Sequence, residues 1–189
     1  MWTRLGAVLC LMVGSVQSHA AGLDLRLSNE SAELTYLFNS SNFYSGGADV
    51  GAGLFINNDD DMMLSLSWVV SGQGLGANEA FSYGVGIKGY GLMVDELDQD
   101  GGALAIGGQL RYLIPGPVSV AMVAEGFISP KITSFADVEK MTEFRIAAEF
   151  EVNRETSAYI GYRILEVDLD EKNGYEVDEN IHIGIRLAF

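Results

Sequence analysis

Alternation between large apolar residues and polar or small residues recurs along almost the whole chain, and it constrains the fold more than any other feature. In residues 181–189 every second residue, from Ile181 to Phe189, is large and apolar, and His, Gly, Arg and Ala lie between them. A period of two places successive side chains on opposite faces of a β-strand. The sequence therefore predicts an all-β fold with ten strand segments: Leu23–Leu27, Ala32–Phe38, Val50–Ile56, Met62–Trp68, Phe81–Ile87, Leu104–Tyr112, Val118–Ile128, Phe144–Val152, Ala158–Val167 and Ile181–Phe189.

The ninth segment changes its phase partway along. Its apolar residues occupy even positions as far as Ile164, and odd positions at Leu165 and Val167, with Glu166 between them. A β-bulge inserts one residue and restores a common face. We therefore expect a bulge here that keeps Leu165 and Val167 on the apolar face and turns Glu166 to the polar face.

Composition favours a membrane protein, because 48% of the residues are hydrophobic. Beyond residue 20, however, no run is apolar for the roughly 20 residues that a membrane-spanning helix needs. A barrel resolves this conflict, since its apolar residues are spread over alternate positions of many strands. We predict a single antiparallel transmembrane up-and-down β-barrel with ten strands, or eight if the two short N-terminal segments lie outside it. A soluble β-sandwich or lipocalin-like barrel remains open, because it alternates too but buries its apolar face.

The first twenty residues have the layout of an export signal. Arg4 supplies the positive charge, Leu5–Val16 the apolar stretch, and Ser18-His19-Ala20 a small-x-small cleavage site. We expect residues 1–20 to be a cleaved signal peptide and residues 21–189 to form one barrel domain. The single cysteine, Cys10, lies in the signal, so disulfide and thiolate chemistry are excluded from the mature chain.

The links between segments predict the orientation of the barrel. Short or Gly-rich links on one side comprise 153–156, 114–117 and 71–79, while the opposite links, 57–61, 95–101, 130–140 and 168–179, are acidic. Outer-membrane barrels have short periplasmic turns and longer extracellular loops. We therefore expect both termini on the periplasmic side and the acidic loops outside. The net charge of −15 excludes nucleic acid as a partner.

Charged residues of both signs fall on the polar face of the strands. One interpretation is a narrow passive channel whose charged lining tunes ion selectivity. The favoured interpretation is a plugged lumen, because buried charges must be paired and a small barrel is filled by its side chains. The predicted lumen charges are Asp24, Arg26, Glu33, Asp49, Lys88, Arg111, Glu125, Glu143, Arg145, Glu149, Glu151, Arg163, Glu166 and Arg186.

Catalytic and metal sites receive little support. His182, the one histidine after cleavage, would lie near the extracellular rim with Asp178 and Glu179 nearby, which is the remote alternative of a rim hydrolase. No nucleophile motif accompanies it. The acidic run 168–174 resembles a calcium loop, but Lys172 occupies a ligand position. We expect no cofactor and no metal, and we interpret the aromatics at strand ends as an interfacial girdle: Tyr36, Phe43, Tyr44, Trp68, Phe81, Tyr90, Tyr112 and Phe189.

The chain resembles the YfaZ family of bacterial outer-membrane proteins along essentially its whole mature length. The residues that carry the resemblance are Asp59-Asp60-Asp61 after Gly51–Ile56, Ala105-Ile106-Gly107-Gly108, Gly161-Tyr162-Arg163, and the closing Gly184 to Phe189. The last strand also looks like the signal that the outer-membrane barrel assembly machinery recognises, with His182, Gly184, Leu187 and Phe189 at its key positions. The resemblance implies an outer-membrane location and a barrel fold more than an activity.

These observations predict a non-enzymatic integral protein of the bacterial outer membrane with a structural or cell-surface role and a charge-plugged lumen. The narrow channel is the alternative. Expected partners are outer-membrane lipid, lipopolysaccharide and the assembly machinery, and we expect a monomer.

Overall fold

The computed structural model describes residues 22–38, 47–73, 80–95, 97 and 99–189. The predicted signal peptide, Cys10, Phe43, Tyr44 and most of the 71–79 link lie outside the described residues. Within these ranges, no helix has the length and apolar character needed to cross a membrane.

Ten long strands form one closed antiparallel barrel. Each pairs with the next of the ten along the chain, and the first strand closes the barrel on the last, from Gly22↔Ala188 to Leu27↔Ile183. The ten-strand prediction is confirmed and the eight-strand alternative is wrong, because the two short N-terminal segments are part of the wall. The strands are β1 Gly22–Leu27, β2 Ser31–Phe38, β3 Gly47–Asn57, β4 Met62–Gln73, β5 Phe81–Val94, β6 Gln99–Ile114, β7 Val120–Ser129, β9 Val138–Asn153, β10 Thr156–Leu169 and β11 Tyr175–Ala188.

One additional short strand, β8 (Ser134–Ala136), interrupts the up-and-down order. After β7 ends at Ser129, a single 3-10 turn (Lys131–Thr133) leads into β8, which pairs with β6 at residues 101–103. Strand β8 therefore pairs with the part of β6 that lies beyond the end of β7.

The outward face of the barrel is apolar and the inward face is polar over much of its height. Leu66 is 67% exposed, Ile106 61% and Ile183 60%, whereas Lys88 and Glu143 are buried in the lumen. A soluble barrel would show the opposite arrangement, because water would cover its outside. The orientation of the two faces is that of a transmembrane barrel.

The chain termini and the acidic loops lie at opposite ends. Gly22 and Ala188 are paired at one end, here named the terminal end, together with the tight turn between β9 and β10. The links β3–β4, β5–β6, β7–β9 and β10–β11 lie at the other end, here named the loop end. This is the arrangement that the link lengths predict.

The bulge near Leu165 lies on the partner strand, contrary to the prediction. Leu165 pairs with Asp178, and Glu166 pairs with Glu176, so the extra residue is Val177 of β11. Strand β10 keeps its phase, Leu165 and Val167 point into the barrel with 0% exposure, and Glu166 lies on the outward side. The physical reason is that the lumen becomes apolar towards the loop end, so the inward face of β10 is apolar there as well.

The barrel lumen as candidate functional site

A chain of ion pairs crosses the lumen from one wall to the other. Lys88 contacts Glu143 at 2.7 Å, and Glu143 contacts Arg163 at 2.7 Å. Arg163 in turn contacts Glu33 at 2.7 Å, and Glu33 contacts Arg26 at 2.9 Å. These residues lie on β5, β9, β10, β2 and β1, so two of the four contacts, Lys88–Glu143 and Arg163–Glu33, join strands that are not neighbours in the wall. We name these five residues the central ion-pair chain.

Arg163 is the middle of this chain and is fully buried, with 0% exposure. Besides Glu143 and Glu33 it has Asp178 at 3.5 Å, and its guanidinium group lies 5.3 Å from the centre of the Phe55 ring. A lone buried charge costs several kcal/mol, so a guanidinium group at this place needs the carboxylates that surround it. The arrangement therefore depends on inward-facing acids from three other strands.

A second chain lies nearer the terminal end. Arg186 contacts Asp24 at 2.9 Å and Glu149 at 3.1 Å, and Arg111 forms an ion pair with Glu149. The hydroxyl group of Tyr159 donates a hydrogen bond to Asp24 at 2.5 Å. Strands β1, β6, β9, β10 and β11 are thus joined at this level.

Arg145 and Glu125 form a separate pair across β9 and β7. Nε and Nη2 of Arg145 donate to the same carboxylate oxygen of Glu125, at 3.2 and 2.9 Å. The guanidinium groups of Arg145 and Arg186 lie 5.7 and 5.9 Å from the centre of the Tyr159 ring. Tyr159 therefore contributes both a hydroxyl donor and an aromatic surface to the charged layer.

A cluster of apolar side chains lies in the lumen between the central ion-pair chain and the loop end, and we name it the apolar plug. Its members are buried side chains on the inward faces of the strands near the loop end. The plug was not predicted from the sequence, although its signal is present: the inward positions of β5 change from Lys88 to Leu92 and Val94, and those of β10 from Arg163 to Leu165. The plug comprises Leu92, Val94, Val138, Met141, Leu165, Val167, Leu169, Tyr175 and Val177.

Asp61 joins several links of the loop end by hydrogen bonds, above the plug. Its buried carboxylate accepts hydrogen bonds from the Asn57 amide at 3.0 Å, the Tyr175 hydroxyl at 2.9 Å and the backbone N–H of Asp95 at 3.1 Å. Three links of the loop end thus share one carboxylate. Asp59 and Asp60 of the same turn are exposed to solvent, whereas at Asp61 these three donors replace water.

Most predicted lumen charges lie together inside the barrel, and two are placed differently. Glu151 is exposed near the terminal end, and Glu166 lies on the outward side of β10. Asp49 lines the lumen near the terminal end, where its carboxylate accepts a hydrogen bond from the Ser71 hydroxyl at 3.4 Å. The residues that the structure brings together in the lumen are Asp24, Arg26, Glu33, Asp49, Lys88, Arg111, Glu125, Glu143, Arg145, Glu149, Arg163 and Arg186.

The four residues of the predicted assembly signal divide between the two faces of β11. Leu187 and Phe189 are exposed on the outward side, with Phe189 70% exposed. His182 and Gly184 point inward, where the rings of His182 and Tyr159 make a T-shaped contact and any side chain at Gly184 would overlap the Tyr159 ring. Glycine at 184 therefore makes room for Tyr159.

His182 is buried in the lumen rather than placed at the rim, with 2% exposure. No described carboxylate accepts a hydrogen bond from its ring nitrogens. Asp178 instead faces Arg163 and Ser31, while Glu179 accepts from the Tyr162 hydroxyl. The arrangement that the hydrolase alternative requires is absent from the described residues.

The acidic loops do not gather into a metal site within the described ranges, where no three His, Cys, Asp or Glu side chains are grouped to hold an ion. In the calcium-like run, Asp168 accepts a hydrogen bond from the backbone N–H of Gly174 at 2.8 Å, and Gly174 has a positive φ of 66°. In the β7–β9 link, Lys131 donates to Glu139, and this hydrogen bond raises the pKa of Lys131. These loop carboxylates are thus engaged within the chain.

Comparison with known proteins identifies a family. No curated protein matches the chain. Among solved structures, the chain is similar to the outer membrane channel DcaP of Acinetobacter baumannii at 10% identity and a TM-score of 0.39, covering 88% of this chain and 54% of that one. The family model described as "YfaZ precursor" matches residues 2–189, nearly the whole sequence. The chain therefore belongs to the YfaZ family.

Proposed function

We propose that this protein is an integral, non-enzymatic barrel of the bacterial outer membrane with a closed lumen and a structural role at the cell surface. The export-signal layout of residues 1–20 and the assembly-signal pattern of His182, Gly184, Leu187 and Phe189 support the location. The apolar outward face supports insertion into lipid, with acyl chains and lipopolysaccharide as its surroundings. A closed barrel has no free strand edge, which favours a monomer.

The observation that carries this proposal is that ion pairs and an apolar cluster occupy the lumen at successive heights. An ion crossing the barrel would have to break the central ion-pair chain and then enter the apolar plug. Charged groups held by close partners resist separation, and an apolar constriction without water opposes ion entry. The two barriers lie in series, so opening one of them leaves the other in place.

Single-channel recording in planar bilayers tests the proposal against the channel alternative. The purified wild-type barrel should give no reproducible current steps, and Arg145→Glu should not create any, because the plug remains intact. A wild-type conductance whose size or ion selectivity changes in Arg145→Glu would overturn the proposal in favour of a channel. Arg154→Glu, in the exposed turn between β9 and β10, is the matched charge control.

The role of the assembly machinery as a partner rests on the last strand. Deletion of Phe189 should reduce insertion into the outer membrane, because it removes the terminal aromatic residue of the signal. Hydrolysis is not part of the proposal, since buried His182 lacks a described carboxylate partner. A hydrolytic activity that His182→Ala abolishes would contradict this point.

A further inference from the structure

The lumen contains a polar cavity of about 110 Å³ on the terminal side of the central ion-pair chain. Its lining reaches Leu37 near the end of β2 and Asp49 near the start of β3, and it ends at Glu33 and Lys88 of the central chain. We name this cavity the terminal-side chamber. It is a dead end, because the ion-pair chain and the plug lie beyond it.

The chamber exists because its two walls differ in side-chain size. The wall formed by β2, β3 and β4 presents small residues, including Thr35, Gly51, Ser65 and Ser67. The opposite wall carries long charged side chains such as Arg145. The small wall leaves a space that the charged side chains border and do not fill.

Two guanidinium groups of this chamber have unused hydrogen-bond donors. Nη1 of Arg145 and Nε of Arg26 are buried and have no acceptor among the described residues. Arg145 is itself 4% exposed, and its other two nitrogens, Nε and Nη2, donate to Glu125. A buried donor without a partner is unfavourable, so an acceptor in the chamber would be stabilising.

The charge balance of the wall selects among acceptors. The lining has four cationic side chains, Arg26, Lys88, Arg145 and Arg186, and four carboxylates, Asp24, Glu33, Asp49 and Glu125. The lining therefore has no excess of positive charge that would attract a solute with a net negative charge. A solute that carries a carboxylate and an ammonium group offers strong acceptors to the arginines and keeps the balance.

We propose that the terminal-side chamber binds a small zwitterion of the amino-acid type. Its carboxylate accepts from Nη1 of Arg145 and Nε of Arg26, and its ammonium group faces the carboxylates towards the terminal end, of which Asp49 is the outermost. The hydroxyl groups of Ser65 and Ser67 line its side. This binding goes beyond the structural role proposed above and does not require passage through the barrel.

Saturation-transfer NMR with glycine tests the proposal on the purified full-length barrel in detergent micelles, with empty micelles as the blank. Glycine should show saturable transfer to the wild-type barrel. Binding should be at least tenfold weaker in Arg145→Met and within about twofold of wild type in Arg111→Met. Arg111 is the matched control, because it is a lumen arginine outside the chamber lining.

Three results would overturn the proposal: no transfer above the blank, equal affinity in wild type and Arg145→Met, or acetate binding as tightly as glycine. Equal binding of acetate would show that the ammonium group contributes nothing. If Arg145→Met does not fold, Ser67→Leu replaces it, since this change fills the chamber and keeps every charge. Ser67→Leu must then show the same loss of glycine binding, and retained binding would contradict the site. This test does not use channel recordings. A negative result here would therefore contradict the zwitterion site and leave the proposed closed lumen unaffected.

Discussion

Replacing Arg163 with methionine should lower the stability of the barrel more than any replacement of an exposed charge. Arg163 is fully buried and lies 2.7 Å from both Glu33 and Glu143. Methionine has a similar length and no charge, so the change removes the ion pairs and creates little empty space. The result is a set of buried carboxylates that have lost their common cation.

The expected magnitude follows from what each carboxylate retains. Breaking a buried ion pair costs about 3–5 kcal/mol when the remaining charge is left alone. Here Glu33 keeps Arg26 at 2.9 Å, and Glu143 keeps Lys88 at 2.7 Å. Asp178 keeps the hydroxyl group of Ser31 at 3.0 Å. We therefore expect a loss at the lower end of the range, about 3 kcal/mol in the free energy of unfolding.

Reversible urea unfolding in lipid vesicles measures this loss. Trp68, exposed on the outward side of β4, is a fluorescence reporter of insertion. Arg154→Met in the exposed β9–β10 turn is the control, and its effect should stay within about 0.5 kcal/mol. The double variant Arg163→Met with Glu33→Gln should lose less than the sum of the two single variants, because the residues are in contact. A loss below about 1 kcal/mol for Arg163→Met, or strict additivity in the double variant, would refute the reasoning.

Three further predictions use the same unfolding assay or a membrane fractionation. Tyr159→Phe removes the hydrogen-bond donor to Asp24 and should lower the free energy of unfolding by about 1.5–3 kcal/mol. Tyr162→Phe on the outward side should lower it clearly less, and equal losses would contradict the role of the lumen hydrogen bond. Leu66→Arg places a charge on the lipid face and should lower the free energy of unfolding by about 2–4 kcal/mol. Val118→Arg near the terminal end should lower it by only about 0–1 kcal/mol, and equal losses would argue against the assigned membrane position. Deletion of Phe189 should reduce the fraction of protein recovered in the outer membrane, while Phe135→Ala at the loop end should not, and normal insertion of the deletion variant would count against the assembly signal.

The strands and their outward face could be predicted from the sequence because each depends on a local period. Ile181, Ile183 and Ile185 repeat every second residue, and lipid requires that one whole face be apolar. The strand count follows from the same signal, since β1 and β2 alternate despite their short length. Which face is inside needed a further fact, namely the burial of residues such as Lys88 and Glu143.

The partners of the lumen charges could not be predicted, because they depend on how the wall curves. Lys88 of β5 meets Glu143 of β9, and Arg163 of β10 meets Glu33 of β2. The alternation along each strand shows that these residues face inward. It gives no information on which strands oppose one another across the lumen. The height of a residue also matters: Glu151 shares the inward phase of Glu149, yet it lies near the terminal end of β9 and is exposed.

The case of β10 shows how one sequence pattern admits two structural solutions. A change of phase between Ile164 and Leu165 can mean that the strand bulges and keeps its apolar residues towards lipid. It can also mean that the strand continues and that the lumen itself becomes apolar at that height. The second solution is the one adopted, since Leu165 and Val167 join Leu92 and Val94 in the plug and the extra residue is Val177 of the neighbouring strand. Two strands whose inward positions turn apolar at the same end indicate a plug, so comparing β5 with β10 would have distinguished the solutions where the single strand could not.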